Sequence, residues 1–388
     1  MIFFNYLNPL IIMVVTAIDV PNPFWVDSPS TLQSLLTDLH QQAVIAVDTE
    51  SNSLYAYRER VCLIQFSTPA SDYLVDPLST IDLSPLGEIF SSRTILKVFH
   101  AAEYDILCLR RDYGFDFNHI FDTMQAARIL GKEKVGLGDQ LAAEFGLHLD
   151  KHYQKADWAK RPLPLPMQSY ACLDTHYLLP YYARMAAAIK TRGLDDLAQE
   201  DFARLCRSTA AENHKTIYSQ VSGYQDLDGR QLAVLNELCL YRDQRARSAD
   251  LPLFKVISDS ALLAVANYCP ANFTELQKVG GLSPRLRERY AEAFLQAVRR
   301  GLKAPEIRLK RLPRPDALFL ERLENLKKWR KVTAQKQGVA SDIVLPRDIL
   351  EAIASRNPQG TEELFQLMQS APWRFEQYGK KIIQVLKE

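Results

Sequence analysis

The second half of the chain repeats itself. At an offset of 88 residues, without a gap, twelve positions coincide, among them Leu235 with Leu323, Arg242 with Arg330, Ala246 with Ala334, Pro270 with Pro358 and Tyr290 with Tyr378. Self-similarity at one fixed period marks a structural unit present more than once. After residue 200 the only short strand candidates are VIS (256–258) and DIVL (342–345); the rest carries helical spacing. The reading is therefore two copies of one small all-α domain, residues 225–302 and 313–388. A basic linker, 303–312, joins them within the proline-containing stretch GLKAPEIRLKRLPRPDA.

The first half has a different texture. VIAVDTE (44–50), RVCLIQFST (60–68), SDYLVDP (71–77) and TILKVF (94–99) are short runs rich in β-branched residues. Three of them follow one another closely and predict an antiparallel meander; the fourth comes after a helical segment near 84–91. Helices are predicted over 27–36, 101–113, 121–130, 137–145 and 167–191, with Pro180 expected to kink or interrupt the last. A mixed sheet flanked by helices follows.

With 388 residues, 47% hydrophobic and 24% charged, the chain is long enough for two or three domains, and disordered, collagen-like and membrane-embedded classes are excluded. Its six cysteines lie far apart with no C-x-x-C pair, which reads as buried thiols in a reducing, cytoplasmic setting. Residues 1–200 hold 16 Lys and Arg against 24 Asp and Glu, and residues 201–388 hold 31 against 22. An acidic half suits cations and a basic half a polyanion, although two solvated surfaces of chance composition give the same count. Residues 1–22 form an apolar extension with no Lys or Arg, interrupted by Asn5, Asn8 and Pro9. It fits neither a signal peptide nor a spanning helix; a start assigned upstream of Met13, or a strand packed on the first domain, are the readings that remain.

Three acidic features stand out. Asp48 and Glu50 lie two apart at the end of an apolar strand, so their carboxylates share a face; a strand simply ending in a solvated loop is the alternative. Asp105 follows TILKVF on a helical face otherwise made of Ala102, Ile106 and Leu109, where a lone carboxylate is costly unless it serves only the helix dipole. Tyr170 and Asp174 are four apart on a helix, one above the other, as in any surface pair.

Taken in order, D-x-E, then Asp after a later strand, then Y-x-x-x-D, these residues resemble the DEDD superfamily of 3′-to-5′ exonucleases in its tyrosine subclass. The run Gln154, Asp157, Trp158, Arg161, Pro162, Leu163 narrows the resemblance to the ribonuclease D family. Each copy of the repeat resembles the HRDC domain shared by that family and RecQ-type helicases.

The resemblance implies an α/β ribonuclease H-like exonuclease domain over 23–210, with its mixed sheet flanked by helices, followed by two all-α HRDC-like domains. It implies Asp48, Glu50, Asp105 and Asp174 as ligands of two divalent ions, Mg²⁺ or Mn²⁺, with Tyr170 orienting or helping to deprotonate the attacking water. Substrate contacts are expected from Thr49, His100, Trp158, Lys160 and Arg161, although a core or loop role for His100 and an ordinary surface pair at Lys160 and Arg161 stay open. Tyr241 and Trp329 read as core aromatics.

The implied activity is removal of nucleotides from RNA 3′ ends, in transfer-RNA precursors and small structured RNAs, releasing nucleoside 5′-monophosphates. The expected enzyme is a cytoplasmic monomer that uses no membrane. A DNA-directed exonuclease and an inactive nucleic-acid-binding adaptor are the rival readings.

Overall fold

A computed structural model describes residues 22–149, 152–209, 216–309 and 316–388. The apolar stretch before Pro21 and the middle of the basic linker lie outside them. Among the described residues no helix is long and apolar enough to cross a membrane.

The first half runs β1 (Phe24–Val26), α1 (Pro29–Gln41), β2 (Val44–Ser51), β3 (Val61–Ser67), β4 (Asp72–Val75), α2 (Leu86–Ser91), β5 (Leu96–Phe99), α3 (Glu103–Tyr113), β6 (Ile120–Asp122), α4 (Thr123–Ile129), α5 (Leu137–Phe145), α6 (Leu165–His176), α7 (Leu178–Thr191) and α8 (Asp195–Cys206). The six strands form one sheet in the order β1-β4-β3-β2-β5-β6. The expected meander is present, β2 with β3 and β3 with β4 antiparallel, while β1, β5 and β6 join in parallel.

Alternation along β2 divides the core. Ile45 and Val47 point to one face with Ile64, Phe66 and the leucines of α1, while Ala46 points to the other with Val98, Phe121 and Tyr181 of α7. On that second face, Leu63 and Leu74 meet Trp158, Met167 and Ala171, so α6 lies across β2, β3 and β4.

Several expectations need correcting. β1 and β6 are strands where helix or loop was expected, because three residues are too few to display a period. The interruption expected at Pro180 is present but falls at Tyr177, so that the segment 167–191 is two helices. Pro180 sits in the first turn of α7, where a missing N–H costs nothing. VIS and DIVL are not strands; they end or follow single helical turns, α10 (Leu253–Val256) and α15 (Ser341–Val344).

The helical half comprises α9 (Gly229–Ala249), α10, α11 (Asp259–Tyr268), α12 (Phe273–Lys278) and α13 (Pro284–Lys303), then α14 (Ala317–Gln337), α15, α16 (Arg347–Arg356), α17 (Thr361–Leu367) and α18 (Pro372–Lys387). Each helix of the second set begins 88 residues after its counterpart. Helix ends match too. Cys269 and Asn357 close α11 and α16 in the left-handed region (φ 51° and 47°), and Asp250 and Gly338 close α9 and α14 likewise (φ 46° and 66°). Arg242 donates to the Ile257 carbonyl at 3.1 Å, and its equivalent Arg330 to that of Leu345 at 2.9 Å. Tyr241 packs edge-on against Tyr290 and Trp329 against Tyr378, core pairs rather than free stacking platforms.

The copies dock on the sheet domain at two places through the same corner. In the first, Asp250 accepts from the Tyr57 N–H at 3.0 Å and Asp243 from the Tyr57 hydroxyl at 2.6 Å, on the loop that follows β2; Lys255 lies 4.1 Å from the centre of the Tyr55 ring. In the second, Ile343 joins the α7–α8 core, and Asp342 and Asp348 pair with Arg128 and Arg204. Arg374 is wholly buried between Glu200 and Asp201 of α8, 2.7 Å from the latter.

Candidate active site

Strand β2 outruns its neighbour. Its pairing with β5 ends at Ala46 opposite Val98, so Asp48, Thr49 and Glu50 continue with β3 on one side only. Past β5 the chain turns through His100 and Ala101, the latter at φ 66°, and enters α3. Asp122 fixes that turn by accepting from the N–H groups of Ala101 at 3.2 Å and Ala102 at 2.7 Å, while also capping α4 through Gln125. Asp105 therefore arrives in the first turn of α3, buried, beside the open edge of β2.

Side-chain alternation shares out the contacts. Thr49 points toward α3 and donates its hydroxyl to Asp105 Oδ1. Asp48 and Glu50 point to the opposite face, where α6 carries Tyr170 and Asp174. The four carboxylates thus meet around one strand end, approached by α3 and α6 from two sides.

Their electrostatics follow from crowding. Burial, then Asp174, holds the Asp48 carboxyl well above the usual carboxylate range, opposed by the Thr49 N–H. Glu50 is raised by burial and by Asp48, Asp174 and Asp105 in turn, and Asp105 by burial and Asp48. Burial pushes Asp174 up to about 7. Among the described residues none of the four has a Lys, Arg or His ion partner, so the repulsion goes uncompensated by protein groups. The Tyr170 phenol is raised above its ordinary value by burial and then by Asp174, Glu50 and Asp48, with Gln154 bonding to it in opposition. It therefore stays protonated.

Tyr170 stands between Trp158, 6.1 Å away ring to ring, and Tyr153, 5.8 Å away. Beside it opens a cavity of about 360 Å³ lined by Leu149, Tyr153, Pro166, Ser169, Tyr170, Leu173 and Asp174.

The other expected contacts divide. Thr49 is in the cluster. His100 bonds through Nδ1 to Thr123 at 2.8 Å, and burial takes it down to about 4, the loop role left open in the sequence. Lys160 is exposed. Trp158 is 1% exposed and supports Tyr170 from behind, so it offers RNA no surface. Arg161 is committed to Asp76 through two bonds of 2.6 and 2.7 Å, and to the carbonyls of Cys62 and Trp158. In this structure it serves as a strut between these segments. Tyr153, against the Tyr170 ring, and Gln65, opposite Asp48 on β3, also border the cluster and were not among the expected contacts; the lone amide in the apolar run VCLIQFS gains meaning only from the strand register.

Four carboxylates that repel one another in a half-buried cleft are the donor set hard divalent cations take. Among the described residues no group of three or more His, Cys, Asp or Glu stands close enough together to hold a metal ion as placed; the four acids are nevertheless brought to one strand end, where a cation would relieve their mutual repulsion. In that sense the residues fit the group.

The 3′-5′ exonuclease domain family matches residues 23–190, and the HRDC domain matches twice, at 231–298 and 319–386. Ribonuclease D from Nitrobacter hamburgensis is 29% identical over 360 residues, 92% of this chain and 93% of that protein. The chain belongs to the ribonuclease D family. It is a hydrolytic 3′-to-5′ exoribonuclease by that membership, in a superfamily whose members generally depend on divalent metal. Protein RRP6-like 1 from Arabidopsis thaliana is 32% identical over 292 residues, 72% of this chain but 46% of that longer protein. The fold is that of Escherichia coli RNase D, whose crystal structure superposes with a TM-score of 0.67 at 24% identity, covering 94% of this chain and 99% of that one.

Proposed function

We propose that Asp48, Glu50, Asp105 and Asp174 hold two divalent ions, Mg²⁺ or Mn²⁺, and that Tyr170 orients the water that attacks the last phosphodiester of an RNA 3′ end. The observation that carries this reading is the meeting of four carboxylates, without a protein cation, beside a protonated phenol. When bound, the ions lower the pKa of water and offset charge on the departing oxygen. The chain's own residues do the rest. Thr49 fixes Asp105, α6 sets Tyr170 one turn from Asp174, and the Tyr170 O–H donates toward the reacting water. Tyr153, Leu149 and Leu173 give the terminal base an apolar wall in the neighbouring cavity that accepts any base.

The substrates in this reading are 3′ trailers of transfer-RNA precursors and other small structured RNAs. The enzyme works as a cytoplasmic monomer and releases nucleoside 5′-monophosphates one at a time. The exonuclease domain is taken as 23–210 and the two helical domains as 225–302 and 313–388, whose excess of Lys and Arg suits RNA backbone.

The test is degradation of a 5′-labelled transfer-RNA-like substrate with a 3′ trailer, in Mg²⁺ or EDTA, by wild type and Asp48→Asn. A descending ladder that stalls near the mature end, absent in EDTA and in the variant, is expected. No ladder from folded wild type in either metal, with RNA still bound, sinks the reading in favour of a binding adaptor. Competition by matched DNA oligonucleotides separates an RNA from a DNA substrate.

A further inference from the structure

Gln65 of β3 stands directly across the ladder from Asp48 of β2. Residues so paired leave the sheet on the same face, here the face that α6 covers. The next strand places Leu74 on the other side of Gln65, and Leu74 belongs to the apolar layer of Trp158, Met167 and Ala171. Gln65 is 0% exposed, yet among the described residues neither Oε1 nor Nε2 has a hydrogen-bond partner.

An amide buried with its donors and acceptors unmade destabilises a fold relative to an apolar side chain of similar shape. Stability therefore gives no reason for a glutamine here; its position beside Asp48 does. Carboxylates that hold metal ions are themselves hydrogen-bonded from behind, which fixes their direction. Asp105 already has such a partner in the Thr49 hydroxyl. Asp48, which faces both Asp105 and Asp174, has the Thr49 backbone N–H.

We propose that Gln65 is the positioning residue for Asp48: its Nε2 donates to the Asp48 oxygen turned away from the bound cation, so that the other oxygen faces the site. The inference rests on the assignment of Asp48 as a metal ligand.

The experiment uses the full chain and Mn²⁺ alone as the probe. Calorimetric titration of wild type, Gln65→Leu and Gln65→Asn is combined with kcat and KM on a 5′-labelled RNA and with metal-free Tm. Gln65→Leu is expected to keep or raise Tm, to weaken Mn²⁺ binding about tenfold or more, and to lower kcat with KM for RNA unchanged. Should Gln65→Leu fold poorly, Gln65→Asn, which keeps the amide but shortens its reach, carries the same expectation. A folded variant of either kind with wild-type Mn²⁺ affinity and wild-type kcat overturns the role of Gln65. Failure of wild type itself to bind Mn²⁺ overturns the metal-site reading beneath it.

Discussion

Asp174 sets the sign of the pH response. Its carboxyl is raised from an ordinary 3.8 to about 7 in the folded chain, and Asp48, Glu50 and Asp105 are raised as well. Between pH 4 and 7 the metal-free folded state holds protons that the unfolded chain has released. Stability should therefore fall as pH rises through that window and level off above it. Denaturant midpoints in EDTA at pH 5 and pH 8 should show wild type losing more than Asp174→Asn across the interval, and saturating Mg²⁺ should shrink the difference. Equal losses in the two proteins would mean that the acids are not crowded in solution. These residues were legible because their order along the chain carries the chemistry. Gln65 was not, because one polar residue in VCLIQFS declares itself only once strand register sets it against Asp48.

Among the connections between elements, Arg161 joins the segment before α6 to the end of β4, through Asp76, and to β3, through the Cys62 carbonyl. Asp76 is 6% exposed, so removing the guanidinium leaves a nearly buried carboxylate unpaired. Arg161→Ala should cost about 3 kcal/mol in urea unfolding, and should leave the salt dependence of RNA binding unchanged because no phosphate contact is lost. A reduced salt slope at unchanged stability would restore the phosphate role that the motif suggested. The sequence left this open because an arginine beside a tryptophan carries the same letters whether it faces a polyanion or a buried aspartate. Strands β1 and β6 escaped for a related reason, since each is held by one parallel neighbour rather than by an internal pattern. The meander and the duplicated helices were legible, because β-branched runs and an 88-residue offset are local signals.

Across the whole molecule, the two helical copies have diverged at the corner they share. The position of Arg374 in the second copy is Leu286 in the first, and that of Asp348 is Ser260. Only the second copy can therefore insert a guanidinium between Glu200 and Asp201, whereas the first uses Asp243 and Asp250 to hold the loop that leaves the active-site strand. One copy is thus tied to the loop that follows the active-site strand and the other to α4 and α8. Arg374→Met keeps the length of the side chain but leaves two buried carboxylates facing each other, a loss of about 3–5 kcal/mol. Most of that loss falls on the docking surface, where Glu200 and Asp201 lose their cation, and a smaller part on the Ile343 carbonyl of the second copy itself. The variant should release the second copy while both modules stay folded. Its thermal unfolding should split into two transitions, and its radius of gyration by X-ray scattering should increase. Its activity on a short unstructured oligonucleotide should persist, since β2, α3 and α6 are untouched, while trimming of a structured precursor should lose its defined stop. A single transition at the wild-type midpoint with unchanged scattering would show that the buried ion pairs do not hold the two halves together.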